Sequence, residues 1–278
     1  MKNPLTGRIA LMPSRFGAGL MAVVTALAVG GCGSGRDEPK ITVSYEKAST
    51  GSAIVGRSLM KRTQLLEHVA EEVNQSLVLP YDISLVGAQC GEENAFWNYA
   101  EKTITICYED ANLSVRLFKR AGDPDPLAAA FNAEVTTFFH ELAHAVIDSH
   151  GLPFTGREED VADQLVVFML LEPHAGGHSV PDAEQAVRDY ARLFELYAAR
   201  DKAITEDDFA DKHTMSQTRV YNLLCWMYGH DPAKHGDLVA DGLLPEYRAA
   251  GCANEYKELA RGWSELLEPH VKPHAEQE

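Results

Sequence analysis

The segment from Leu127 to His150 has little freedom in what it can become, and it constrains everything around it. It carries His140-Glu141-Leu142-Ala143-His144, set among Phe138, Phe139, Ala145, Val146 and Ile147. The spacing predicts a helix stopped by Gly151 and Pro153. Residues four apart on a helix share one face, about one turn apart, so His140 and His144 can reach a single ion. The apolar neighbours predict a helix buried on most sides. Two imidazoles and a carboxylate in that setting are costly without a partner, which argues against a surface helix carrying histidines by chance. HExxH on a buried helix is a zinc-binding pattern, with Glu141 placed to take a proton from an activated water.

A catalytic zinc takes three protein ligands and keeps one position open. The next segment, Arg157-Glu158-Glu159-Asp160-Val161-Ala162-Asp163, supplies acids at helical spacing. Thr155 with Glu158 three residues on reads as a capping box that opens a second helix, ended by Pro173. That leaves Glu159 as the third ligand. Asp163 follows one turn deeper, ahead of the apolar run Leu165 to Leu171, where it can accept the second N–H of a ligand histidine. Glu158 and Asp160 are accounted for as first-turn acids favoured by the helix dipole.

The N-terminus reads as an export signal. Lys2, Arg8 and Arg15 precede an apolar run of 14 residues, Phe16 to Val29, too short to span a bilayer comfortably and of the length of a signal core. It ends in Val29-Gly30-Gly31-Cys32, which resembles the lipobox of bacterial lipoproteins, where cleavage precedes a cysteine that receives lipid. An ordinary secretory signal cleaved nearby, or an uncleaved anchor, is the alternative. The expected organisation is a signal peptide at 1–31, then lipidated Cys32, a Gly/Ser tether and a first strand within 32–57, then one domain over 58–278. The net charge of −16 argues against a nucleic-acid partner, since phosphates repel such a surface. The expected location is a membrane surface of the bacterial envelope, reached through the lipid.

With Cys32 set aside, Cys90, Cys107, Cys225 and Cys252 remain, an even number that in an exported chain points to disulfides. Three pairings are possible. Cys90–Cys107 and Cys225–Cys252 each enclose a compact local unit and are favoured; a four-cysteine zinc site is disfavoured because no CxxC occurs.

Along the body, Ile41 to Glu46 alternates as a strand, Ser58 to Asn74 reads as one helix, and the residues around Ile83 and Leu85 read as a strand. Glu93–Tyr99 and Thr103–Tyr108 form a hairpin turning near Ala100-Glu101-Lys102, while Ala111 to Pro126 reads as loop or short helix. Helices follow over Asp182–Ala199, Ser216–Tyr228 and Glu255–Leu267. His150, His174, His178, His230, His235, His270 and His274 fall near helix ends or in loops and read as surface residues. Strands first and helices afterwards make an α+β protein.

HExxH followed by Glu159 to Asp163 as ExxAD resembles the gluzincin metallopeptidases, which implies Glu159 as the third zinc ligand. Asn94-Ala95-Phe96-Trp97 is similar to the edge strand of thermolysin-like enzymes, which implies that Asn94 and Ala95 pair with substrate backbone above the zinc. The layout as a whole resembles a bacterial family of metallopeptidase-like proteins classed as a domain of unknown function, the DUF4344 family. Cys90-Gly91 to Cys107-Tyr108-Glu109, HELAHA, GREEDVADQ and Tyr221 to Trp226 carry that likeness over most of residues 90–265. The gap from His144 to Glu159 is shorter than in thermolysin, and its separate C-terminal domain has no room here. Gluzincins also supply a His or Tyr that steadies the oxyanion; His213, after Asp211-Lys212, and Tyr221 are the candidates. The resemblance implies a zincin-like fold, with a small N-terminal sheet whose edge strand lies over the active-site helix. It implies one Zn²⁺ and a peptide or protein substrate. A zincin-fold binding lipoprotein without turnover is the rival expectation.

Overall fold

The computed structural model describes residues 38–172, 182–200 and 204–273. The signal segment, Cys32, the tether and His174, His178 and His274 lie outside the described residues. Four strands make one mixed sheet: β1 (Ile41–Tyr45), β2 (Ile83–Ala88), β3 (Ala95–Asn98) and β4 (Thr103–Cys107). The spatial order is β1-β2-β4-β3. β1 and β2 run parallel, as do β2 and β4, while β3 returns antiparallel to β4 with Ala95 opposite Ile106. β3 is therefore an edge strand. Its turn is closed by Asn98, whose Oδ1 accepts from the backbone of Ala100 and Glu101. Lys102 takes a left-handed φ of 53° to finish it.

Two helices link β1 to β2: α1 (Gly51–Thr63) and α2 (Leu65–Ser76). The single helix expected over 58–74 is broken at Gln64, whose left-handed conformation ends α1 while its N–H still bonds Met60 O. The compact unit begins at Glu38, so β1 and the start of α1, grouped above with the tether, belong to the body. α3 (Tyr108–Ala121) fills most of the stretch read as loop or short helix, and at 14 residues it is a longer helix than that reading. Ala111, Ser114, Leu117 and Phe118 all point inward at helical spacing, a stripe weakened on paper by its small and polar members. α1 packs closely on the start of α3, because a Cβ at Gly56 would overlap the Tyr108 carbonyl oxygen.

α4 (Pro126–His150) is the central helix. Asp125 caps it by accepting from Ala128 N, Pro126 supplies the first turn, and Gly151 at φ 60° ends it. It packs against β3, α3, α5 (Glu158–Leu171) and α6 (Ala183–Arg200). Then come the short α7 (Glu206–Ala210), α8 (Ser216–His230), α9 (Asp237–Ala240) and α10 (Glu246–Leu267). α10 begins nine residues before the expected start, because in its first turns only Ala249 and Cys252 are buried and the apolar signal is thin. Cys90 is bonded to Cys107, across the open end of the β3–β4 hairpin, and Cys225 to Cys252, joining α8 to α10. His235 is a core residue, 2% exposed, with Arg188 3.3 Å from its Nδ1, rather than a surface one. Among the described residues no helix is long and apolar enough to cross a membrane.

Candidate metal centre

The turn after α4 reverses the chain through Gly151 and Gly156, both at positive φ, and lays α5 against the motif face of α4. His140 Nε2 then lies 3.2 Å from Glu159 Oε2, and His144 Nε2 lies 3.3 Å from His140 Nε2. The third side, His144 Nε2 to Glu159 Oε2, is 3.4 Å. These three atoms form a nearly equilateral triangle. Ligands at tetrahedral angles and about 2.0–2.1 Å from an ion are about 3.3–3.4 Å apart, so the triangle has the size such an ion requires. His140, His144 and Glu159 are the group among the described residues that could hold a metal ion.

Each imidazole is oriented from behind. His140 Nδ1 is 3.0 Å from Asp163 Oδ1, and His144 Nδ1 is 2.8 Å from Glu158 Oε1. A carboxylate on Nδ1 fixes the tautomer in which Nε2 presents its lone pair. Burial opposes a charge on His140, but Asp163 and Glu159 outweigh it and lift its pKa to about 9. Burial likewise raises Glu159, yet His140, His144 and Lys212 hold its carboxyl far below the usual range. The three donors thus form a buried seat for positive charge.

Glu158 departs from its expected role. α5 starts at Glu158 with Arg157 as its N-cap and no side-chain cap bond, so no capping box forms at Thr155. Freed from capping, Glu158 turns to His144. Asp160 accepts a hydrogen bond from the Thr214 hydroxyl and ties the segment after α7 to α5, instead of standing in solvent.

Arg219 of α8 is a residue the sequence did not flag. Its Nε and a terminal nitrogen donate to the two oxygens of Asp163 at 2.7 and 2.6 Å. The same guanidinium donates to Tyr190 Oη at 3.1 Å and lies 3.8 Å from the centre of the Phe194 ring. Burial would raise Asp163, but Arg219 and His140 keep it ionised, with a pKa of about 2. One arginine in a helix of mixed composition has no spacing that marks it. Lys212 is a second unflagged residue: its ammonium lies 2.6 Å from Glu159 Oε1, the oxygen turned away from the histidines.

Two cavities flank the centre, of about 230 and 640 Å³. Asn94, Ala95, Glu141 and His213 line both and form the waist between them. Glu141, 8% exposed, sits beside the metal-binding triangle, and β3 runs past it along its unpaired edge. His213 Nε2 is 3.3 Å from Glu159 Oε2, and its Nδ1 is 2.8 Å from Asp211 Oδ1. The structure therefore brings together His140, Glu141, His144, Glu159, Asp163, Asn94, Ala95 and His213. It does not bring Tyr221, which is 37% exposed on α8 and lines neither cavity. Tyr221 and Arg219 are two residues apart, so they leave the helix on different faces.

The profile of one protein family, DUF4344, described as "Putative metallopeptidase", matches residues 45–267. The chain belongs to this family. The match spans all four strands, wholly or in part, and every residue of the centre. No curated protein and no solved structure matches the chain.

Proposed function

We propose that this member of the DUF4344 family is a zinc-dependent peptidase of gluzincin type. We further propose that it is exported, held at a bacterial membrane by lipid on Cys32, and acts on a peptide or protein substrate. The observation that carries the reading is the triangle of His140, His144 and Glu159 donors with Glu141 at its side and an open sheet edge above it. Two imidazoles and one carboxylate, with a position left open, are the donor set of a catalytic zinc rather than a structural one. Zinc, when bound, acts as a Lewis acid that makes water a nucleophile near neutral pH.

The remaining work falls to the chain's own residues. The free edge of β3 offers backbone N–H and C=O groups to an extended peptide and lays the scissile bond across the waist. The Glu141 carboxylate takes the proton of the attacking water and delivers it to the leaving amine. Asp211 holds the His213 ring through Nδ1, so Nε2 faces the waist and, when protonated, donates to the oxygen on which charge develops. Glu158 and Asp163 hold the two ligand imidazoles in place, and Arg219 holds Asp163.

The test uses the full chain after dialysis against zinc. About one zinc per chain is expected. Hydrolysis of a mixed peptide library should be lost in Glu141→Gln with the zinc retained. A chain that takes up no zinc sinks the reading. One that binds zinc but cleaves nothing sinks the peptidase part and favours a binding protein. Labelled palmitate incorporated by the wild type and lost in Cys32→Ser checks the anchor.

A further inference from the structure

The smaller cavity runs from the waist into the body between α3 and α6. Its lining is mixed: Leu113 stands on one side and Leu193, Phe194 and Tyr197 on the other, with polar side chains such as Asn94, Thr137 and Tyr190 between them. A carboxylate, that of Asp110, is set into it and is only 7% exposed. Tyr197 Oη donates to one of its oxygens at 3.3 Å. Glu93 adds a second carboxylate near the waist. Against these stands Arg200, exposed and lying over the Tyr197 ring, 5.4 Å from its centre. The Arg219 charge is already matched by both oxygens of Asp163. The cavity is thus a small pocket of mixed lining, aromatic on the α6 side, with more carboxylates than unmatched cations, opening beside Glu141.

A long side chain with methylenes along its length and a cation at its tip matches that sequence of surfaces. We propose that this cavity receives a lysine or arginine side chain of the substrate, next to the bond cleaved, with Asp110 as its counter-charge. The proposal rests on the peptidase reading for its substrate, and it names the class of peptide that substrate belongs to. Burial supports it: Asp110 is pushed up to about 6, a rise that Tyr197 and Arg200 resist and that the Glu93 and Glu141 charges reinforce. A buried carboxylate in that condition gains from an arriving cation.

The experiment compares peptides that differ at one position, carrying lysine, norleucine or glutamate on either side of the scissile bond. Norleucine keeps the methylenes and lacks the ammonium. The zinc-loaded full chain should cleave the lysine peptide about 10–100-fold better in kcat/KM than the norleucine one, the size of a hydrogen bond to a charged group. Asp110→Asn should erase that ratio. Equal cleavage of lysine and norleucine peptides, or a preference for glutamate through Arg200, overturns the proposal while leaving the peptidase reading intact. A second readout is binding of the uncleaved peptides to Glu141→Gln, followed by fluorescence anisotropy. If nothing is cleaved, the peptidase reading fails. Binding then decides alone: about 10–100-fold tighter binding of the lysine peptide supports the pocket, and equal binding overturns it. Should Asp110→Asn fail to fold, the lysine-to-norleucine ratio of the wild type is decisive by itself.

Discussion

Replacing Arg219 by methionine tests how the centre is supported. The wild-type guanidinium makes two short hydrogen bonds to Asp163, and the side chains are only 10% and 3% exposed. Removing one partner of such a buried pair leaves an uncompensated charge, which typically costs about 3–5 kcal/mol. Methionine keeps apolar contact with Phe194 but offers nothing to Asp163 or Tyr190. For a chain of this size 1 kcal/mol moves the melting temperature by about 2–4 °C, so a loss of roughly 6–20 °C is expected for the metal-free protein. Asp163 should respond by taking up a proton more readily, since its pKa of about 2 depends on Arg219. His140 then faces a weaker acceptor, and metal affinity should fall about 10–100-fold. The assay pairs thermal unfolding in chelator with zinc titration against a competing dye. The double variant Arg219→Met, Asp163→Asn removes the stranded charge and should recover much of the lost stability but not the zinc affinity. An Arg219→Met protein that melts within about 2 °C of wild type, or a double variant no more stable than the single one, would refute this account of the pair.

Three further outcomes are expected. Glu158→Ala removes the carboxylate 2.8 Å from His144 Nδ1 and should weaken zinc binding about 10–100-fold; unchanged zinc titration would return Glu158 to a mere first-turn acid. Glu134 is fully buried, with one oxygen accepting from Ser114 and the other unpartnered, and burial together with the Asp110 charge raises its pKa well above the usual value. The folded chain therefore keeps a proton that the unfolded chain releases above about pH 4, so stability should fall as pH rises from there. Glu134→Gln should flatten that fall in urea midpoints measured from pH 5 to 9, and parallel curves for the two proteins would count against it. Replacing Cys225 and Cys252 together by alanine opens a link of sequence separation 27 and should cost about 3–4 kcal/mol in the chain-entropy picture, read as a lower urea midpoint; no change would mean α8 and α10 are held without it.

The parts of the centre readable from the chain are those whose partners are close in sequence. Residues four apart on a helix share a face whatever the rest of the molecule does, so His140 with His144, and Glu159 with Asp163, were legible as two pairs of site residues. The hairpin was legible for the same reason, because alternation and a short turn are local, whereas the edge position of its first strand was implied only by the likeness to thermolysin-like enzymes. Local reading erred where two local explanations competed. Glu158 had the right spacing for a capping box, and only the start of α5 at Glu158 itself gave its carboxylate to His144. α3 was left between loop and short helix because Ala111 and Ser114 interrupt its apolar stripe, and the break at Gln64 carries no glycine to announce it.

What the sequence by itself determined was the chemistry available: which side chains can donate to an ion, at what helical spacing, and in which cysteine-bearing units. Only the tertiary structure decided which of them meet. α6 and α8 bring Tyr190, Phe194 and Arg219 behind Asp163, and the stretch after α7 brings Lys212 and His213 to Glu159. Arg219 lies 56 residues from Asp163, and Tyr197 lies 87 from Asp110. No periodicity links positions so far apart. Their meeting is fixed by the packing of helices whose buried faces are apolar, and an apolar face encodes that it must be covered without encoding by what.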